Sequence, residues 1–324
     1  MPQPTPKRKA KKSRSANVLR GPQSVSQPTK FLPEIDGPKL GPFKSPYFHY
    51  SDDFQFEELL HEPSSSGGGE GNVFKATLNG EAYAVKLFKF FDKDEGRFRF
   101  WDSQNEQITD VDLVGNLDPF NAECRAYGRI EEIYTKYRTK NIDIGIIAIP
   151  CYGYIEISSS HERDIVARFG PLDFQRSETN TITPLRAIVK QYSSHIPIDP
   201  KKRSIKLMLR DLKTMHNNGL YPIDIRAENY REGRLVDFGM ALTEPSCVLR
   251  VLDGYMADRE RGRGLGAFDK MIKAAGIKTQ VRATYGTGRP GWGYRTRAGR
   301  KANGDVDFIQ LVNRRGHLTD KQTW

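Results

Sequence analysis

The sequence predicts an α+β fold, a small antiparallel β-sheet followed by amphipathic helices. Three observations predict it. Two strand-like runs, 72–78 and 81–88, flank Asn79-Gly80, a strong signal for a two-residue hairpin turn. Two later stretches repeat apolar residues every three to four positions, the spacing of a helix with one buried face. Between and after them lie short β-rich runs, and no internal repeat is present.

Taken in order, the first forty-odd residues are rich in Pro, Lys, Arg, Ser and Gln. Such a segment has too little apolar surface to offset its ordering entropy, so residues 1–48 read as a disordered basic tail. Ordered sequence starts near Phe54, and Phe54, Phe56 and Leu59 lead into Ser64 and the glycine run Gly67-Gly68-Gly69-Glu70-Gly71. The hairpin follows. Residues 92–117 are charged and irregular, and read as an insertion. Asp118-Pro119 is a good helix start, with an N-cap and a proline in the first turn. Phe120, Cys124, Tyr127, Ile130, Ile133 and Tyr137 then mark one helical face. Residues 142–157 and 185–193 are β-rich, separated by a polar stretch from Ser158 to Thr183. Ile205, Met208, Leu209, Leu212 and Met215 mark a second amphipathic helix, closed by Gly219 where a C-cap glycine belongs. Short strands flank Arg231-Glu232-Gly233-Arg234. The expected division is a tail at 1–48, a folded domain at 49–268 and a basic, Gly- and aromatic-rich segment at 269–324.

Composition removes several function classes. The longest apolar run, Ile144 to Ile155, is shorter than the ~20 residues a membrane helix needs and contains Pro150. The 3 cysteines are odd in number and widely spaced, with no Cys-x-x-Cys pair. That argues against a disulfide scaffold and a structural zinc site and favours a reducing compartment. The 324-residue chain carries 51 Lys+Arg and 40 Asp+Glu, a net +11. Seven basic residues fall in 1–20 and nine in 270–304, segments that hold no acid. Setting those sixteen aside leaves 35 basic against 40 acidic residues. The body is therefore slightly acidic and the positive charge sits in the end segments. Lys7 to Lys12 is a nuclear-import candidate, against the plain alternative of a solvated tail. Arg282, Tyr285, Arg289, Trp292, Tyr294, Arg295, Arg297, Arg300 and Lys301 interleave cations with aromatic faces. That is the logic of sequence-tolerant nucleic-acid binding, against the alternative of a tail docked on the acidic body.

Five chemistry-bearing elements occur in a fixed order. They are the glycine run, a lysine within Ala84-Val85-Lys86, Glu123 one turn into its helix, Asp224-Ile225-Arg226-Ala227-Glu228-Asn229, and Asp237-Phe238-Gly239. Taken singly, each has an ordinary reading: a flexible loop, a snorkelling surface lysine, a solvated helix charge, a turn. Together they resemble the protein-kinase-like superfamily. The resemblance implies a bilobal kinase-like fold and a site for ATP and Mg²⁺. It implies that Gly67, Gly68, Gly69, Gly71, Val73 and Ala84 line the nucleotide, with Lys86 on its phosphates and Glu123 pairing with Lys86. Asp224 would be the catalytic aspartate, Arg226 would reach the γ-phosphate, and Asn229 and Asp237 would hold the metal. The chemistry is consistent with those residue types. Glycines let backbone amides approach phosphate without a side-chain clash, a carboxylate keeps a buried lysine charged and aimed, and Mg²⁺ takes hard oxygen donors.

The sequence also departs from that pattern. Ser66 stands where the first loop glycine belongs, and no His-Arg precedes Asp224. No Ala-Pro-Glu follows Gly239, and the chain remaining after it implies a truncated helical lobe. Leu185 to Ser193 should hold the adenine hinge. The runs Asp118 to Gly128, Arg186 to Lys190 and Met208 to His216, with Asp224-Ile225-Arg226 through Tyr230, further resemble a fungal family named for a kinetochore subunit of a Sim-type complex, over roughly residues 53–250. That resemblance implies kinetochore or chromatin partners and a nuclear location, the cytoplasm being the alternative. Two functions follow as expectations. The first is an ATP-dependent phosphotransferase acting on a hydroxyl acceptor; the second is a non-catalytic kinase-like assembly subunit.

Overall fold

In the computed structural model, residues 32–61, 69–98, 100–193 and 205–284 are described. The first strand, β1 (Gln55–His61), pairs with β2 (Gly71–Leu78), which turns through Asn79-Gly80 into β3 (Glu81–Phe88). Both turn residues have positive φ, 51° and 81°, as a two-residue hairpin of this hand requires. Three helices follow, α1 (Lys93–Arg97), α2 (Asp102–Asn105) and α3 (Asp110–Leu117), then the long helix α4 (Pro119–Arg138). Asp118 caps α4 by accepting from the Phe120 N–H at 3.1 Å. Next come β4 (Cys151–Ile157), α5 (Ser159–Phe169) and β5 (Leu185–Gln191). The five strands form one antiparallel sheet in the order β1-β2-β3-β5-β4.

The helical half opens with α6 (Ile205–His216). After it, β6 (Leu220–Tyr221), the hairpin β7 (Tyr230–Arg231) with β8 (Arg234–Leu235), and β9 (Leu242–Thr243) make two small sheets, β6 with β9 and β7 with β8. Helices α7 (Cys247–Val251) and α8 (Gly254–Ala274) complete the described chain. The architecture is thus mixed α+β, a five-stranded antiparallel sheet followed by helices.

The period-2 pattern of β3 and β5 explains the core. Val85, Leu87, Ala187 and Val189 face one side, where they pack with Phe54, Phe74, Ile157 and Ile165. Phe88 and Ile188 face the other side, against Phe120, Cys124 and Tyr127 of α4. Both faces of the sheet are therefore covered, one by α4 and the other by α5 and the chain around Phe43–Phe54. The α4 cluster runs on into Met208, Leu212, Phe238, Leu265 and Phe268, so sheet and helical half share one core.

Four expectations are corrected. Residues 92–117 are three helices, not an irregular insertion: Phe100, Ile108, Leu113 and Leu117 are buried with Leu242, Val248 and Met256. The polar stretch after Ser158 contains α5, whose Ile165 and partly buried Val166 seal the sheet. Residues 32–48, assigned to the tail, pack on the body. Leu32, Leu40 and Phe43 are buried, the Leu40 N–H donates to the Cys124 carbonyl (3.0 Å), and the Phe43 N–H donates to the Tyr154 carbonyl (2.8 Å). This strap lies along β4, an edge strand whose open backbone groups need covering. Finally, the boundary at 268/269 falls inside α8, where Phe268, Met271 and Ile272 are buried. The tail before residue 32 and most of the C-terminal basic segment, including Arg289, Trp292, Tyr294, Arg295, Arg297, Arg300 and Lys301, lie outside the described residues.

Candidate functional site

Residue Lys86 sits in β3 opposite Val73 on one side and Ile188 on the other. The alternation of β3 turns it toward α4, and only 5% of its surface is exposed. An ammonium buried to that degree needs counter-charge, and three carboxylates supply it. Lys86 Nζ donates to Glu123 Oε2 at 2.9 Å and to Asp237 Oδ1 at 2.8 Å, and Glu70 lies 3.6 Å away. Burial alone would disfavour this ammonium, but Asp237, Glu123 and Glu70 outweigh it and hold its pKa above the ordinary lysine value.

A second lysine completes the cluster. Lys190 of β5, in register with Ala84, donates to the other oxygen of Glu123 and to the Val236 carbonyl (2.8 Å). Glu123 is 0% exposed and so receives one cation on each oxygen. Asp237 also accepts from the Gly239 N–H at 3.0 Å. Burial works against its carboxylate, but Lys86 and Lys190 prevail and hold it well below the usual carboxylate range. Phe238 is buried against Tyr127 of α4, with ring centroids 5.1 Å apart, which fixes the turn that carries Asp237. At the head of α4, Asp118 pairs with Arg186 of β5 as well as capping its helix, so the helix bearing Glu123 is tied to the sheet bearing both lysines.

The loop after β6 forms a second, adjoining group. Asn229 is buried, and its amide donates to both the backbone carbonyl and the carboxylate of Asp224, each at 2.9 Å. Arg226 pairs with the same carboxylate at 2.8 Å, with 58% of its own side chain exposed. The two groups are joined through the backbone, since the Val236 N–H donates to the Asn229 carbonyl at 2.9 Å. The structure thus brings Lys86, Glu123 and Asp237 into direct contact. It places Asp224, Arg226 and Asn229 together beside them, linked by one backbone hydrogen bond and the short β7–β8 hairpin.

The remaining residues expected to bind nucleotide are distributed as follows. Gly67 and Gly68 lie outside the described residues. Gly69 precedes β2, and Gly71 belongs to it; a Cβ at Gly71 would collide with the Leu87 carbonyl, so strand pairing itself requires that glycine. Val73 and Ala84 are half-buried on the face of the sheet that carries Lys86. Of the stretch Leu185 to Ser193, expected to hold a hinge, residues 185–191 form a strand between β3 and β4. Sequence reasoning missed Glu70 and Lys190. Lys190 carried a legible signal, a lysine directly after the apolar run Ala187-Ile188-Val189 and on the same alternation as Ile188. Glu70 stood in plain view inside the glycine run.

Among the described residues, no three His, Cys, Asp or Glu side chains group to hold a metal ion. The oxygen donors on offer are one carboxylate, Asp237, and one amide, Asn229. Asp237 keeps 30% of its side chain exposed while Lys86 keeps 6%, so an approach to the cluster exists from the Asp237 side. No described helix is long and apolar enough to cross a membrane.

No curated protein matches the chain significantly. The family described as kinetochore Sim4 complex subunit FTA2 matches residues 28–242. That span takes in the strap, the whole five-stranded sheet, the lysine–carboxylate cluster and the Asp224 loop. On that match, the chain belongs to the kinetochore Sim4 complex subunit FTA2 family.

Proposed function

We propose that this chain is a nuclear assembly subunit of the kinetochore, built on a bilobal, protein-kinase-like fold whose ion cluster joins the two lobes. The family match over residues 28–242 carries this reading, and the geometry supports it. Lys86 is neutralised by the protein's own carboxylates, and Asp237 spends its charge on Lys86 (2.8 Å). In this role the cluster clamps β3, β5, α4 and the segment after β8 into one body that presents surfaces to other kinetochore proteins. The basic residues of the end segments supply charge that suits nucleic-acid phosphate. Co-purification of the tagged chain with Sim4 complex subunits from chromatin tests the reading. A chain that folds yet recovers none of them refutes it. Lys86→Met and Asp237→Ala variants that remain folded should still recover them.

A second reading, ATP- and Mg²⁺-dependent phosphotransfer to a hydroxyl, is favoured by one observation: Asp224, Asn229 and Asp237 lie on consecutive, hydrogen-bonded segments beside Lys86. Asn229 and Asp237 would hold the metal, whose chemistry is to neutralise phosphate charge. Lys86 would hold the phosphates, and Asp224 would receive the acceptor's proton. Asp224 is already engaged by Arg226 and Asn229, so it would have to exchange a partner before doing so. Incubation with labelled ATP, Mg²⁺ and protein or small-molecule hydroxyl acceptors decides between the readings. Transfer that disappears in Asp237→Ala supports phosphotransfer, and absence of transfer by the folded wild type excludes it.

A further inference from the structure

Glu70 is the one carboxylate of the cluster that no expected role explains. It sits between Gly69 and Gly71 at the mouth of β2, and its side chain is only 12% exposed. The Lys89 N–H donates to its carbonyl at 3.0 Å, which anchors it beside the end of β3. Its carboxylate lies 3.6 Å from Lys86 Nζ. The same oxygen, Oε2, also presses on Gly239: a Cβ there would collide with it. One carboxylate therefore fills the space between the glycine-rich turn, the strand lysine and the Asp237-Phe238-Gly239 turn.

In the kinase-like reading of the cleft, on which this inference rests, that space belongs to the polyphosphate of a nucleotide. A carboxylate and a phosphoryl group share what Lys86 recognises, negative charge and acceptor oxygens. We propose that Glu70 is an internal occupant of the phosphate position, so that a nucleoside triphosphate enters only by displacing it. With Glu70 in place the cluster already holds three carboxylates against two ammoniums. A further anion would meet a site that is net negative as well as filled. Gly239 is part of the device, because any side chain at that position would push Glu70 out. With its backbone held by the Lys89 N–H, displacement takes only a rotation of the Glu70 side chain.

The test is an equilibrium titration of the full chain with ATP in Mg²⁺ buffer, read by calorimetry, for wild type, Glu70→Gln, Glu70→Ala and the double variant Glu70→Gln/Lys86→Met. Circular dichroism and thermal unfolding verify that each variant is folded. Should the shorter side chain of Glu70→Ala disrupt the fold, the Gln variant, of equal length, still reports. The expected result is affinity about tenfold tighter in Glu70→Gln than in wild type (about 1.4 kcal/mol per decade), lost again in the double variant. Affinities within twofold of each other in wild type and Glu70→Gln would overturn the role of Glu70 while leaving the nucleotide reading standing. Binding by neither would overturn the nucleotide reading of the cleft, and this inference with it.

Discussion

Replacing Lys86 by Met measures how much the ion cluster contributes to the fold. The side chain keeps its length and apolar stem, so packing is largely conserved and the change is one of charge. Two hydrogen bonds to carboxylates disappear, at 2.9 and 2.8 Å, with a third ionic contact at 3.6 Å. Removing one partner of a buried ion pair costs roughly 3–5 kcal/mol, because the other charge is stranded. The structure places this case at the lower end. Glu123 retains Lys190, and Asp237 keeps 30% of its side chain exposed, where water can take over part of the work. A loss of about 3 kcal/mol follows, equivalent to roughly 6–12 °C in Tm for a domain of this size. Urea unfolding at an unchanged m-value gives the number directly. A cycle with Asp237→Asn isolates the pair, and residues in contact should show coupling of about 1 kcal/mol or more. A Lys86→Met loss below about 1 kcal/mol, or the same loss whether or not Asp237 is charged, would refute the view that the cluster binds the sheet to the helical half.

Other expectations concern acid, thiols and the strap. Asp237 is held below the ordinary carboxylate range, so its contribution to stability is present above about pH 4–5 and fades as the pH falls toward its lowered value. Asp237→Asn should therefore flatten the fall in urea midpoint on acidification, and an unchanged slope would contradict the assignment. Burial pushes Cys151 and Cys247 up to about 12 and Cys124 well above its ordinary value. Iodoacetamide at pH 8 should leave all 3 cysteines unmodified by mass until the protein is denatured, and rapid native labelling would be the contrary result. Gly128→Ala tests the strap. In an isolated helix the change gains about 1 kcal/mol, but a Cβ here would stand 2.6 Å from the Lys39 N and 2.7 Å from its C. The sign should therefore reverse to a loss of about 1–3 kcal/mol, with faster proteolysis between residues 32 and 48, whereas a stabilised variant would show that the strap is not held there.

Much of the sheet and the two main amphipathic helices could be read from the chain, because each announces itself locally. Asn79-Gly80 admits few alternatives to a hairpin, and the apolar face from Phe120 to Ile133 has the period of a helix. The three helices between Lys93 and Leu117 and the helix after Ser158 do not announce themselves. They are short, and their polar residues dominate any window. What holds them is a handful of tertiary contacts, such as Leu113 under Leu242 and Val248. The strap was invisible for a different reason. Its docking grooves are made by Gly128 and Gly153, whose missing Cβ atoms leave room for the backbone of Lys39 and Phe43, and nothing near residue 40 points to glycines so far along the chain. At the site, the lysine–glutamate–aspartate set was legible through its resemblance to a known order of motifs. Lys190 and Glu70 were visible as residues, but joining them to Glu123 and Lys86 took the register of β5 and the position of Gly239, which only the folded chain supplies.

The bond from Lys86 to Asp237 spans 151 positions, and this sets the order in which a growing chain can mature. Every strand of the main sheet has been synthesised once Gln191 is added, yet the third carboxylate of the cluster arrives only with Asp237. At ~5–20 residues per second the ribosome leaves a wait of a few seconds, during which Lys86 lacks the nearest of its three carboxylates. Sequences that slow or interrupt translation between these points would prolong exposure of that unfinished interior to chaperones and proteases.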